Sequence, residues 1–332
     1  MSPQFVDVDD DGRLDLVAAT YDGSPKWARG TAQGFEQPVH VLDRDGARIV
    51  MNQFWNFDTE RWDTTERCDP AGVQPGHLTS AWACDWDRDG DLDLLLGDHD
   101  AGQVMWRRND GTSAAPRFAT RNEPVRANGA PLVVPGTVTT LLVRDVTGDG
   151  REDLVVGSMG DTRDPGASGG GVQVFPDVGD GKARVLGAPV VWVPRSEKGA
   201  TTPTRPDAGL YMDVVDHDGD GDLDLVVGGY SCWEAAPRVL TAAEQARVPE
   251  LQAEIGRLTE RLLEENAAIT SAIEGLDEDE RARRRAALLA ERGAMLADLA
   301  ARRRALQDEL DPLTPGQKRR SFVWLYENVT PR

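Results

Sequence analysis

The sequence predicts an all-β chain of about four repeated sheet units, interrupted near its end by a long antiparallel helical hairpin. Three observations carry that expectation: an acidic pattern that occurs four times, a short apolar run directly after each copy, and a stretch over 241–312 whose composition switches to Ala, Leu, Glu and Arg. The apolar runs are rich in β-branched residues and end at turn signals, as strands do.

The first acidic copy places Asp7, Asp9, Asp11 and Asp15 at positions 1, 3, 5 and 9, with Gly12 at position 6. The second has Asp85, Asp87, Asp89 and Asp93 with Gly90; the third has Asp145, Thr147, Asp149 and Asp153 with Gly150. The fourth has Asp216, Asp218, Asp220 and Asp224 with Gly221. Hard oxygen donors at alternate positions, with a Gly that lets the chain turn sharply, suit Ca²⁺. The backbone carbonyl of position 7 (Arg13, Asp91, Arg151 and Asp222) would complete each set, so up to four Ca²⁺ ions are expected. Thr147 removes one charge, and the third loop is expected to bind most weakly. The EF-hand shares the opening of this pattern but needs a bidentate Glu at position 12 and flanking helices. Position 12 here is Ala18, Leu96, Val156 and Val227, which excludes it.

The residues directly after position 9 are apolar instead: 16–18, 94–96, 154–156 and 225–227, the last three runs closed by Gly97, Gly157 and Gly228. Each acidic segment is therefore a loop between two strands. Further strands are expected from Val104, Val172 and Val323, ending in polar turns at Asn109, Asp177 and Asn328, with a weaker equivalent at 26–30. Segments 38–42 and 189–193 read as outer fourth strands.

Strand, Asp-rich loop and strand, starting at 7, 85, 145 and 216, resemble the FG-GAP or VCBS repeats of integrin-α-type β-propellers. The resemblance implies a partial or small β-propeller of about four blades with calcium loops, over approximately 4–45, 80–127, 138–195 and 209–332. Spacings of 78, 60 and 71 residues suit four-stranded blades with generous loops. The resemblance also implies a non-catalytic module for extracellular protein or glycan interaction or cell adhesion, located outside the cell, on its surface or in the periplasm. Propellers of this kind have more blades, so the chain is expected to be a fragment, or a unit whose open edges another segment covers.

The distance from the last loop Asp to the third strand is 11 residues in the second repeat, 19 in the third and 99 in the fourth, which locates an insertion. Its composition is helical. Thr241 with Glu244 makes a capping box, and Pro249 fits the first turn of a longer helix. Leu251, Ile255, Leu258, Leu262, Ile269 and Leu276 stripe a helix over 249–276. Asp277 caps a second helix over 278–310, striped by Leu289, Leu296, Leu299, Leu306 and Leu310. The two helices form a coiled-coil-like hairpin that either buries its own stripes or takes a partner or a second copy.

The formal charge of −20 would fall to about −12 with four Ca²⁺ bound, which argues against nucleic-acid partners. No window approaches the apolar length of a membrane span. Cys68, Cys84 and Cys232 permit at most one disulfide, and Cys84 reads as a small buried residue. His40, His77, His99 and His217 are scattered, and no nucleophile elbow, HExxH or phosphate loop is present, so no catalytic residue is assigned. One segment, 51–77, falls outside the repeats; its Trp55, Phe57 and Trp62, beside Asn52, Asp58 and Arg61, suggest a platform that stacks on sugar rings. The competing expectation there is an extended loop whose aromatics cover the neighbouring unit. Some propellers with similar calcium loops are polysaccharide lyases, which makes a carbohydrate-active enzyme the alternative by fold analogy.

Overall fold

The computed structural model describes residues 3–65, 67–68, 76–160, 169–195, 205–235 and 238–328. It divides into two compact units, one of 1–232 with 319–332 and one of 233–318. The side chain of Cys232 lies outside the described residues, and Cys68 and Cys84 are free and buried.

Four antiparallel sheets succeed one another along the chain. The first is Gln4–Val6, Asp15–Thr20, Ser24–Ala28 and Val39–His40; the second is Leu78–Cys84, Asp93–Asp98, Val104–Arg107 and Glu123–Pro124. The third is Thr137–Arg144, Asp153–Met159, Val172–Phe175 and Val190–Val193; the fourth is Ala208–Val215, Asp224–Ala235 and Gly316–Tyr326. Each acidic loop joins the first two strands of its sheet, and the outer strands expected at 38–42 and 189–193 are present. The outer strand Glu123–Pro124 has two residues and leaves no periodicity to read. Among the described residues no sheet closes on itself, and no closed ring of sheets forms. The chain is mostly β, in several open antiparallel sheets with two helices.

The apolar runs of the second and third sheets are continuous because their second strands are buried on both faces. Along Asp93–Asp98, Leu94 and Leu96 enter the cluster shared with Val17, Ala19 and Leu78, whereas Leu95 enters the cluster of Leu141, Val143, Leu154 and Val156. One sheet on, Val155 turns the other way, to Leu210, Val214 and Val227. Side chains on a strand alternate between faces, so the second strands of the second and third sheets each supply two inter-sheet cores. Gly97 and Gly157 make the close packing possible: a Cβ at Gly97 would lie 2.4 Å from the Thr139 carbonyl, and one at Gly157 2.5 Å from that of Leu210. First strands are joined by side-chain bonds to backbone. Gln4 donates to the Ala83 carbonyl at 2.8 Å and accepts from its N–H at 2.7 Å, Ser80 Oγ donates to Thr139 O at 2.6 Å, and Thr140 Oγ1 donates to Leu210 O at 2.5 Å.

The second unit is the helical pair, α1 (Ala242–Ser271) and α2 (Glu278–Leu310). Thr241 and Glu244 form the expected capping box, and Asp277 caps α2 through the Glu280 N–H. Two expectations need correction. Pro249 lies inside α1 and not in its first turn, because the capping box starts the helix at Ala242. In α2 one member of the expected stripe is displaced: Leu289 is 45% exposed and its neighbour Leu288 is buried, while Leu296, Leu299 and Leu306 are half-buried. Leu251, Ile269 and Leu310 are buried as expected, and a buried Glu265 pairs with Arg292 of the other helix at 2.7 Å. No helix among the described residues is long and apolar enough to cross a membrane.

Candidate functional site

The four acidic loops share one hydrogen-bond skeleton. The position-1 carboxylate accepts backbone N–H groups from positions 4 to 6: Asp7 from Asp11 and Gly12, Asp85 from Asp89 and Gly90, Asp145 from Gly148, Asp149 and Gly150, Asp216 from Gly219 and Gly221. The position-5 carboxylate accepts from position 7, in Asp11 with Arg13, Asp89 with Asp91, Asp149 with Arg151 and Asp220 with Asp222. Positions 4 and 6 are left-handed throughout: Asp10, Arg88, Gly148 and Gly219 have φ of 54°, 65°, 74° and 80°, and the position-6 glycines lie between 83° and 96°. A short acidic segment that curls its own amides inward leaves its remaining carboxylate oxygens crowded together.

That crowding is visible. Asp7, Asp9 and Asp15 each offer an oxygen within 4.8 Å of the others, as do Asp85, Asp87 and Asp89, and Asp216, Asp218 and Asp220. The third loop, with Thr147, yields no such trio among the described residues. Buried oxygens Oδ1 of Asp9, Asp87 and Asp91 have no hydrogen-bond partner. Burial pushes the Asp91 carboxyl up to about 6, with the charges of Asp89, Asp87 and Asp85 adding to it. Burial likewise raises Asp87, with Asp89 and Asp85 contributing, and raises Asp9 against the opposing pull of Arg29. An all-oxygen donor set with unmet buried lone pairs and mutual repulsion fits a hard divalent cation of the Ca²⁺ class.

The ninth-position aspartates do something further. Asp15, Asp93, Asp153 and Asp224 are at most 2% exposed. One oxygen of each accepts the position-2 N–H, from Val8, Trp86, Val146 and His217 respectively. The other oxygen accepts an N–H at the end of the third strand, from Gly30 at 2.7 Å, Asn109 at 2.6 Å, Asp177 at 2.9 Å and Asn328 at 2.9 Å. Each of these carboxylates thus ties its loop to the third strand of the same sheet.

Within the aromatic segment, 53–64 form a hairpin in place of the extended loop: Gln53–Asn56 pairs with Arg61–Thr64, and Trp55 stands opposite Trp62 with ring centroids 6.0 Å apart. Trp62 is 39% exposed, and its ring lies against Tyr21 and His77. Phe57, 58% exposed, sits near His40, 6.5 Å away, apart from the tryptophan pair. Asn52 accepts the Gly76 N–H, and Arg61 pairs with Asp63. Two of the histidines that look scattered in sequence meet in space: the rings of His77 and His99 stack 4.1 Å apart. Sequence spacing gives no sign of this, because the two belong to different strand ends.

A family model for the FG-GAP-like repeat matches residues 85–156, from the second acidic loop to the strand after the third. No curated protein matches the sequence. Among solved structures, a chain of the Photorhabdus luminescens Tc holotoxin pore is 19% identical, with a TM-score of 0.28. The match covers 68% of this chain and 11% of that one.

Proposed function

We propose, on the match of residues 85–156 to an FG-GAP-like repeat model, that the chain is a calcium-stabilised, non-catalytic interaction module whose four sheets are blades of a partial β-propeller. The observation that carries this reading is the hydrogen-bond skeleton common to four loops, accompanied in three of them by a trio of acids within 4.8 Å of one another, at positions 1, 3 and 9 in the first loop and 1, 3 and 5 in the second and fourth, while buried Oδ1 atoms of Asp9, Asp87 and Asp91 stay unmet. Asp7, Asp9, Asp11 and Asp15, and their equivalents in the other loops, would hold Ca²⁺, which would supply the positive charge these carboxylates lack. Calcium loops of modest affinity stay filled at the roughly millimolar Ca²⁺ outside cells, which favours an extracellular, surface or periplasmic setting. The exposed Trp62 and Phe57 are the ligand-facing aromatics for a protein or a glycan.

The test is calorimetric titration of the metal-free chain with Ca²⁺, together with melting in EDTA and in Ca²⁺. The expected result is three or four bound ions, a lower Tm in EDTA, and one ion fewer in Asp89→Ala or Asp220→Ala. The same Tm with and without chelator would overturn the proposal.

A further inference from the structure

Outside the acidic loops, one cluster has the donor chemistry of a different metal. His77 precedes the strand Leu78–Cys84, and His99 and Asp100 come directly after the strand Asp93–Asp98. The backbone holds them in place: His99 N donates to His77 O, and Val138 N donates to His99 O, both at 2.9 Å. The fully buried Asp98 accepts the N–H groups of Asp100 at 3.0 Å and of Ala101 at 2.5 Å, which fixes the turn that carries Asp100. Asp100 lies at both imidazoles, its Oδ1 3.0 Å from His99 Nδ1 and its Oδ2 3.3 Å from His77 Nδ1. One ligand atom from each of the three lies within 4.8 Å of the other two. His77 is 6% exposed, and its Nε2 has no hydrogen-bond partner. Tyr21 meets both imidazoles edge-on, with centroids 5.3 and 6.0 Å away.

We propose that His77, His99 and Asp100 bind a transition-metal dication of the Zn²⁺ class at a site separate from the Ca²⁺ loops. Two imidazoles and one carboxylate suit Zn²⁺, Co²⁺, Ni²⁺ or Cu²⁺ and are a poor set for Ca²⁺, which takes oxygen alone. Three protein ligands from two strand ends leave a fourth position for water or an incoming group. The bonds around Asp98 supply the outer support that metal-ligating groups usually have. The other two histidines take no part, His40 being paired with Asp22 at 2.9 Å.

The test uses the full chain in excess Ca²⁺, so that the acidic loops are occupied, and titrates it with Co²⁺ and then Zn²⁺. One Co²⁺ per chain is expected, with the strong visible absorption of a four-coordinate site that contains nitrogen, and one Zn²⁺ should displace it. Ring resonances of His77 and His99 should shift, and those of His40 and His217 should not. His99 and Asp100 are partly exposed, with side-chain exposures of 23% and 32%, so His99→Gln and Asp100→Asn should keep the fold, checked by circular dichroism and unchanged Ca²⁺ stoichiometry. Each should weaken Co²⁺ by more than the roughly 10–100-fold that loss of a supporting partner costs. His40→Gln should leave Co²⁺ affinity unchanged. A pale, six-coordinate spectrum, or equal Co²⁺ affinity in His99→Gln and the parent chain, would overturn the proposal.

Discussion

Asp153 is fully buried, and its carboxylate accepts three backbone N–H groups, from Val146 and Thr147 at 3.1 Å and from Asp177 at 2.9 Å. Removing that acceptor orphans amides, at roughly 1–3 kcal/mol for each one left buried. Asp153→Ala should therefore lower the unfolding free energy by at least about 2 kcal/mol in chemical denaturation. Because those bonds run to backbone, the loss should persist in EDTA, whereas a purely metal-ligating role would make it vanish there. Sequence spacing identifies the acid three residues after each loop Gly but not this second duty. A carboxylate that ligates and one that binds amides are the same residue type, and the partner amide lies 15 to 104 residues further on.

At the scale of elements, the helices show where pattern reading succeeds and where it slips. Caps are local chemistry, so Thr241, Glu244 and Asp277 are legible in the sequence. Which leucine of Leu288 and Leu289 faces inward depends on how two helices meet, which no single-helix pattern contains. Leu288→Ala should cost about 2–5 kcal/mol of hairpin stability, while Leu289→Ala should stay within about 0.5 kcal/mol, both read from melts at 222 nm. The capping box adds a pH dependence. The side-chain bond from Arg238, aided by the Thr241 N–H, holds the Glu244 carboxyl down at about 2, against an ordinary value of 4.5. A depressed carboxylate stabilises the fold above its unfolded pKa and loses that contribution as pH falls toward its folded one. The Tm difference between the parent chain and Glu244→Gln should therefore be full at pH 6 and shrink between pH 4.5 and about 2. A difference that is constant across that window would exclude the linkage.

At the scale of the molecule, the succession of sheets is legible because strand, loop and strand repeat at a blade-like period. The order in which their faces pair is written in the alternation of Leu94, Leu95 and Leu96 between two cores, but a fully apolar run conceals which residue goes where. Among the described residues, those forming the sheet cores all lie outside 233–318. Replacing 241–312 by a short Gly-Ser turn should keep Ca²⁺ binding and the β signal and remove most of the helical circular dichroism. Loss of the β signal on deletion would show that the sheets depend on the helices.

The tie between Asp224 and Asn328 bears on the order of folding. Its partners stand 104 residues apart, against 16 for Asp93 and Asn109. Closing the longer loop through unstructured chain costs about 1.7 kcal/mol more in entropy, from the logarithm of the length ratio. Helices form in microseconds or less, and the pairing of Arg247 with Glu309 at 2.8 Å draws together the open end of the hairpin between them. Once the hairpin exists, its two ends lie side by side, Arg238 donating to the Pro312 carbonyl at 3.1 Å. The insertion then acts kinetically as a large turn, and mutations that loosen it should delay the fourth sheet while the first three assemble at their usual rate.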